Sequence, residues 1–403
     1  MNTNKTEKSE HATHSNSSIL NLFLIFLRLG LTSFGGPVAH IGYFHNEFVI
    51  RRKWFTDQAY SEIVALCQFL PGPASSQVGL AIGLSKAGYR GAFAAWFGFT
   101  MPSAIVMTLV ALGYTHFSSN TSGIIQGLKI VAVAIIAQAL WGMFKSLCPD
   151  LNRRLIMIGA AIIVSILSSS LGQIIAILLA AAIGIALLET ADSHDEQQTF
   201  SIPVSKKTGG IFLGLFFFLL VSLPILNSLL ASQSLDHIAS FYQAGALVFG
   251  GGHVVLPLLQ AEVVSTGLVN NDAFLAGYGA AQAVPGPLFT FASFLGASLY
   301  DGNLAWYGSM LCLIAIFVPA FLLIAGALPF WQDIRTNPYA KSALAGANAG
   351  VVGLLLAVLY DPVWTSTVHG MKDIILIVGA FIALTKFKQP SWLVVLVLSL
   401  IHI

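Results

Sequence analysis

Charge is what this chain has least of. Asp, Glu, Lys and Arg make up 9% of its 403 residues, against about 25% in an ordinary soluble domain, while 56% are hydrophobic. So few charges cannot clothe a water-facing surface of this size, which excludes a soluble globule and points to a polytopic membrane protein. A net charge of +2 is too small to argue for a nucleic-acid partner. Cysteine is scarce too: Cys67, Cys148 and Cys312 lie far apart in apolar sequence, which gives neither a disulfide framework nor a metal-ligand spacing. They read as small core residues. No G-x-x-x-x-G-K-[ST] phosphate loop occurs, and no linker is long enough for a nucleotide-binding domain. No nucleophile–base pair or metal cluster stands out. Neither an enzyme nor a nucleotide-driven pump is expected, and no cofactor. Residues 1–17 lack the apolar core and cleavage site of a signal peptide and read as a disordered cytoplasmic tail.

What is present is one pattern written twice. Between Leu29 and Gln77, LTSFGGPVAH is followed by QFLPGPASSQ; between Ala244 and Thr290, LVFGGGHVVL is followed by QAVPGPLFT. Each copy sets a glycine cluster in an apolar helix, then a carboxylate (Glu47, Glu262), then Gln-x-x-Pro-Gly-Pro. Two glycines and a proline cannot continue a helix cheaply, so breaks fall at Gly35-Gly36-Pro37 and Pro71-Gly72-Pro73. The pieces between them, Val38 to Ile50, Asp57 to Leu70 and Ala74 to Lys86, are too short to span a bilayer at about 1.5 Å per residue. Re-entrant pairs or broken helices are expected there. Longer apolar segments follow at 91–116, 124–147, 154–170 and 172–189, then a polar linker and an unpaired helix near 210–230. The second copy opens with a helix over 236–252, places Pro319 in a long helix as Pro102 is in the first, and closes with 341–360, 372–386 and 391–403.

Basic residues orient the spans. Arg51, Arg52, Lys53, Lys86 and Arg90 mark one side in the first half, but the matching loops of the second half, 265–271 and 300–303, have no Lys or Arg. An odd helix between the halves inverts the second and gathers nearly all basic residues in the cytoplasm. The expected fold is therefore all-α, with two inverted-topology repeats and broken or re-entrant helices at the Pro-Gly-Pro motifs, the architecture of secondary transporters. The divisions are 1–17 tail, 18–190 N-terminal repeat, 191–208 cytoplasmic linker, 209–231 connecting helix and 232–403 C-terminal repeat.

The candidate binding residues cluster at the breaks. The helix opening at Ala74 offers free N–H donors, joined by Ser75, Ser76 and Gln77, with Gln68 on the other side of the break. Neutral donors at a helix N-terminus suit an oxyanion; the alternative is a kink that aids packing. The second copy supplies Gln282, Pro285, Gly286, Pro287 and Thr290, and is otherwise apolar. Gly35, Gly36, Gly251 and Gly252 admit a close backbone or a ligand, and His40 and His253 flank them as anion or proton contacts or as core histidines. Arg28, within the first helix, either neutralises a bound anion or pairs with Glu47 or Glu62. Glu47 and Glu262 are the proton-coupling candidates, with ion-paired or exposed helix-end acids as the plainer reading. The expectation is unequal halves: the first break binds the anion and the second gates it.

The motifs FGGPVAHIGYFHNEFV, RRKWF and QFLPGPASSQVGLAIG, with FGGGHVVLPLLQ and AQAVPGPLFT in the second half, resemble the chromate ion transporter family in its long, two-domain form. The resemblance runs from about Leu20 to the C-terminus and carries the family's motif onto Gly35, Gly36, Pro37, Gln68, Pro71, Gly72, Pro73, Gly250, Gly251, Gly252, Pro285, Gly286 and Pro287. It implies chromate, a tetrahedral dianion shaped like sulfate, exported across the cytoplasmic membrane to give chromate resistance. A charge crossing 100 mV is worth about 2.3 kcal/mol, so a dianion leaving a negative interior gains roughly 4.6 kcal/mol, with proton exchange as an addition. Uptake driven by potential needs roughly three or more co-transported protons. The alternatives are a sulfate or other oxyanion importer and an anion channel. The expected partners are the oxyanion and the lipid bilayer, with room for a homodimer.

Overall fold

The computed structural model describes residues 19–117, 122–167, 169–188, 204–249 and 252–401. The expected tail, most of the linker, and Gly250 and Gly251 lie outside the described residues. Every regular element described is helical. The first half contains α1 (Ile19–Thr32), α2 (Gly36–His45), α3 (Asp57–Phe69), α4 (Ala74–Phe117), α5 (Ser122–Leu147), α6 (Leu151–Ile166) and α7 (Ser170–Leu187). After α8 (Lys206–Leu230) come α9 (Gln233–Ala246), α10 (Val255–Leu259), α11 (Asn271–Ala283), α12 (Phe291–Ser298) and α13 (Ala305–Ala327). The chain ends with α14 (Trp331–Thr336), α15 (Pro338–Val358), α16 (Thr365–Thr367), α17 (Met371–Thr385) and α18 (Ser391–Ile401). Among the described residues, six helical stretches are long and apolar enough to cross a membrane: those of α4, α5, α7, α8, α13 and α15. The protein is an all-α polytopic membrane protein.

The short helices fold back on themselves. Gly35 (φ 102°) and Gly36 (φ 76°) take conformations that a side chain resists, and α2 returns along α1, setting Phe26 against Phe44 and Phe48. Thr56 caps α3 by accepting from Ala59 N. α4 is two limbs, because Ala87 and Gly88 leave the helical region. Its first limb runs from the Pro-Gly-Pro break back to the start of α3, where Lys86 lies over Trp54 and Phe55. A Cβ on Gly83 would sit 2.4 Å from Gly91 O, so the two limbs touch backbone to backbone. A straight helix would hold residues eight apart about 12 Å away.

The second half repeats this plan. α11 and α12 form a hairpin in which Phe274 meets Phe291, and a Cβ on Gly296 would sit 2.2 Å from Gly308 O of α13. α9 packs on α13 as α1 packs on α4, through Gly245 and Gly30, each too close to the opposing backbone to bear a side chain. The halves also exchange helices: α5 packs on α11, α17 and α18, while α15 packs on α6 and α7. α8 packs on α9 and α13 and leaves Ile211, Phe217, Phe218 and Val221 exposed along a face fit for lipid.

Several boundaries moved for local reasons. α6 begins at Leu151 rather than 154 because the Asp150 carboxylate caps Arg153 N. α9 ends at Ala246 rather than 252, since the chain leaves the helix before its glycines. α2 continues into a π turn, Asn46–Arg51, and α10 into another, Gln260–Val264; Glu47 and Glu262 sit one in each. Each turn is tied off alike, by Trp54 N donating to Phe48 O (2.7 Å) and by Val269 N donating to Val263 O (2.7 Å).

Candidate functional site

The four hairpin tips meet, and they interlock across the halves. Proline has no N–H, so the central glycine is the one backbone donor in each Pro-Gly-Pro. Gly72 N donates to Val248 O (2.6 Å), two residues before the second glycine cluster; Gly286 N donates to Ser33 O (2.9 Å), two residues before the first. Both glycines have positive φ, 121° and 100°. The freed carbonyls are satisfied locally: Gln77 Nε2 donates to Pro71 O (2.7 Å) and Thr290 Oγ1 to Pro287 O (2.8 Å). This is how irregular backbone survives inside apolar protein. The two glycine breaks also touch, since a Cβ on Gly252 would lie 3.1 Å from Pro37 Cγ.

The expected binding residues divide into two sets around these tips. His40, Ser75, Ser76 and Gln77 are fully or almost fully buried behind the first break. His40 reaches Ser33 O through Nε2 (3.2 Å) and Ser75 Oγ through Nδ1 (3.4 Å). Ser33 Oγ, Ser76 Oγ and Gln77 Oε1 are left without partners there. The second set faces a cavity of about 620 Å³. Gly35, Gly36 and Pro37 line it from the first half, and Gly252, His253 and Gln282 from the second. His253 Nδ1 is held by Tyr278 OH (2.8 Å), and Gln282 Nε2 has no hydrogen-bond acceptor. Pro71, Gly72 and Pro73, and likewise Pro285, Gly286 and Pro287, do not line this cavity but brace its floor through the cross-links above. Gln68 is exposed on α3 and also stands outside it.

The charges sit elsewhere than the neutral donors. Arg28 pairs with Glu47, which also accepts from Arg52 Nε (2.6 Å) and Arg51 Nη1 (3.1 Å). Of the two readings open for Arg28, this is the pairing one. Glu47 lies outside the six spanning stretches, at the mouth of its hairpin. Burial there works against ionisation, yet the Arg52 and Arg51 hydrogen bonds and the Arg28 charge hold its carboxyl below the usual range. Glu262, in the matching turn of the second half, shows the reverse: burial pushes its carboxyl up despite hydrogen bonds with Ser170 and Ser240. The two matched acids are therefore not equivalent.

Several participants escaped the sequence reading. Gln138, Ser146, Lys388 and Ser391 line the cavity; Gln138, an amide in the apolar run KIVAVAIIAQALW, carried the signal of a polar group inside a membrane helix. Lys129 is buried and binds Asp272 of the other half (2.7 Å) and Ser366 O (3.0 Å). Arg335 and Trp331 in turn bind Glu62 across the halves, at 2.6 and 3.0 Å. Among the described residues no cluster of His, Cys, Asp and Glu could hold a metal ion.

Comparison with known proteins gives a consistent result. The chromate transporter family profile matches residues 20–185 and 235–403. An uncharacterized transporter of Methanocaldococcus jannaschii is 28% identical over 99% of this chain and 96% of its own length. A probable chromate transport protein of Synechococcus elongatus is 25% identical, covering 96% and 95% respectively. A chromate transport protein of Pseudomonas aeruginosa is 26% identical, covering 88% and 84%. No solved structure matches the chain.

Proposed function

This chain belongs to the chromate transporter family, and from that premise we propose that it is a secondary transporter that exports chromate across the cytoplasmic membrane and confers chromate resistance. The observation that carries the proposal is the cavity reaching both glycine breaks, lined by neutral donors and a lysine and by no carboxylate. Gln138, His253 and Gln282 offer hydrogen bonds to a tetrahedral oxyanion, and Gly35, Gly36 and Gly252 let it approach the backbone. Interlocked tips from two repeats of opposite orientation would lie near mid-membrane, where such transporters hold their cargo.

In this reading the first break, with Ser75, Ser76, Gln77 and His40 behind it, braces the site, and the donors come mainly from the second half. Lys388 lines the cavity, and the rule for basic residues reads its loop as cytoplasmic, which suits an exporter waiting for its cargo. Membrane potential drives the dianion outward, and Glu262 is the better of the two carboxylates for any proton exchange. The test is chromate accumulation in everted membrane vesicles with an imposed lumen-positive potential. Accumulation should follow the potential and be reduced by sulfate. Accumulation indifferent to potential and pH, with chloride passing freely, would refute the exporter reading.

A further inference from the structure

We propose that Lys388, on the turn joining α17 to α18, is the residue that receives the dianion in the cavity and selects it by charge. This rests on the oxyanion-transport reading above. Lys388 is the one charged side chain among the residues lining the cavity. Other cations near the hairpins are already engaged: Arg28, Arg51 and Arg52 by Glu47, Lys129 by Asp272 and Arg335 by Glu62. Lys388 has no ion-pair partner among the described residues, so its charge is free to meet a ligand.

The turn is held where this role needs it. Gln389 N donates to Ala383 O (3.0 Å), closing the end of α17. Ser391 Oγ donates to Gln282 O (3.0 Å), which fastens the start of α18 to the hairpin tip three residues before Pro285. Lys388 itself takes φ 51°, an uncommon backbone for a side chain other than Asn or Gly. Lys388 is exposed, and the turn that carries it is pinned to the site through Ser391. Facing it across the cavity are the glycine breaks and the amides of Gln138 and Gln282.

The chemistry of a single cation follows directly. Coulomb attraction scales with ligand charge, so one lysine favours a dianion over a monoanion of equal size. One positive charge against two negative ones also leaves a net negative complex, which membrane potential can still drive outward.

The test uses the full-length chain in everted vesicles, with chromate and sulfate each measured as substrate over a range of ionic strength. Lys388→Gln should raise KM for the dianion about tenfold, equivalent to about 1.4 kcal/mol, with Vmax little changed. Its KM should also lose most of the salt dependence seen in the wild type. Lys388→Arg should keep KM near the wild-type value, since it preserves charge in the same backbone conformation. Lys372→Gln, at the far end of α17, is the control and should match wild type. An unchanged KM in Lys388→Gln overturns the assignment, as does an equal loss in Lys388→Gln and Lys388→Arg. A wild type that carries sulfate but not chromate refutes the chromate reading alone, and the same variants then decide the role of Lys388 on sulfate. A wild type that carries neither refutes both.

Discussion

If the hairpin tips hold the two halves together, a methyl group at either Pro-Gly-Pro glycine should cost more than backbone strain alone. At Gly72, φ is 121°, and a Cβ would lie 2.8 Å from Gln77 Nε2, the atom that donates to Pro71 O. Gly72→Ala thus carries about 1–3 kcal/mol of backbone strain. Displacing Gln77 forfeits its bond to Pro71 O, another 0.5–1.5 kcal/mol or so. The expected total is roughly 1.5–4.5 kcal/mol. Gly286→Ala has the same two sources, because its Cβ would lie 2.7 Å from Ser103 Oγ, which donates to Thr100 O. Two further variants separate the causes. Gly36 has φ 76° but nothing within 4 Å of a Cβ, so Gly36→Ala should show the strain alone. Gly42 has neither a positive φ nor a neighbour within 4 Å, so Gly42→Ala should fall within about 0.5 kcal/mol of wild type. Reversible unfolding of the purified chain in mixed micelles gives the four values, and vesicle transport shows whether the folded fraction still works. The order Gly72 ≈ Gly286 > Gly36 > Gly42 is the expected result. Gly72→Ala behaving like Gly42→Ala would refute the strained turn and the Gln77–Pro71 bond as sources of stability.

Three further outcomes follow from the charges. Asp272→Asn should destabilise the fold far more than Lys129→Met, since it strands a buried ammonium, a loss of about 3–5 kcal/mol, whereas Asp272 is half exposed and can find water; equal losses in the same unfolding assay would argue against the pairing. Arg28→Gln should leave dianion KM unchanged and weaken stability by no more than about 1 kcal/mol, because Arg28 is half exposed and Glu47 keeps Arg51 and Arg52; a large KM rise would return Arg28 to the binding site. Glu262 has its carboxyl raised above 4.5 in the folded chain, so its protonated form is favoured there, and the stability this gives is full below 4.5 and lost as pH rises through the folded value. Glu262→Gln should therefore flatten the unfolding profile above pH 4.5, and in vesicles remove any dependence of chromate flux on a pH gradient.

The sequence made the breaks legible because they are local. Two glycines beside Pro37, or two prolines around Gly72, end a helix whatever surrounds them, and the intervening pieces are visibly too short to span. The duplication was legible because matching Glu47 with Glu262, or Gln68 with Gln282, needs only spacing. What spacing cannot show is which side of each element meets the other half. Gln68 and Gln282 match in sequence, yet one is exposed and the other faces the cavity. The acids match too, yet three arginines surround Glu47 and two serines Glu262. Lys129 shows the same limit. An isolated lysine one turn into an apolar helix is best satisfied by reaching water, and only the position of Asp272, 143 residues later, changes that.

Lys388 is the sharpest instance. A lysine just past the last turn of a membrane helix satisfies the orientation rule for basic residues and a binding role equally well, and nothing in its neighbours along the chain separates the two. The separation comes from Ser391, whose bond to Gln282 O carries the turn onto the second hairpin tip. Orientation needs a positive charge on the correct side of the membrane and tolerates any position along the loop. Reception of an anion needs that charge at the cavity. Moving the lysine to position 387 by the paired substitution Lys388→Phe and Phe387→Lys, off the cavity lining, should therefore leave topology intact while abolishing the charge selection, a difference the orientation rule alone does not produce.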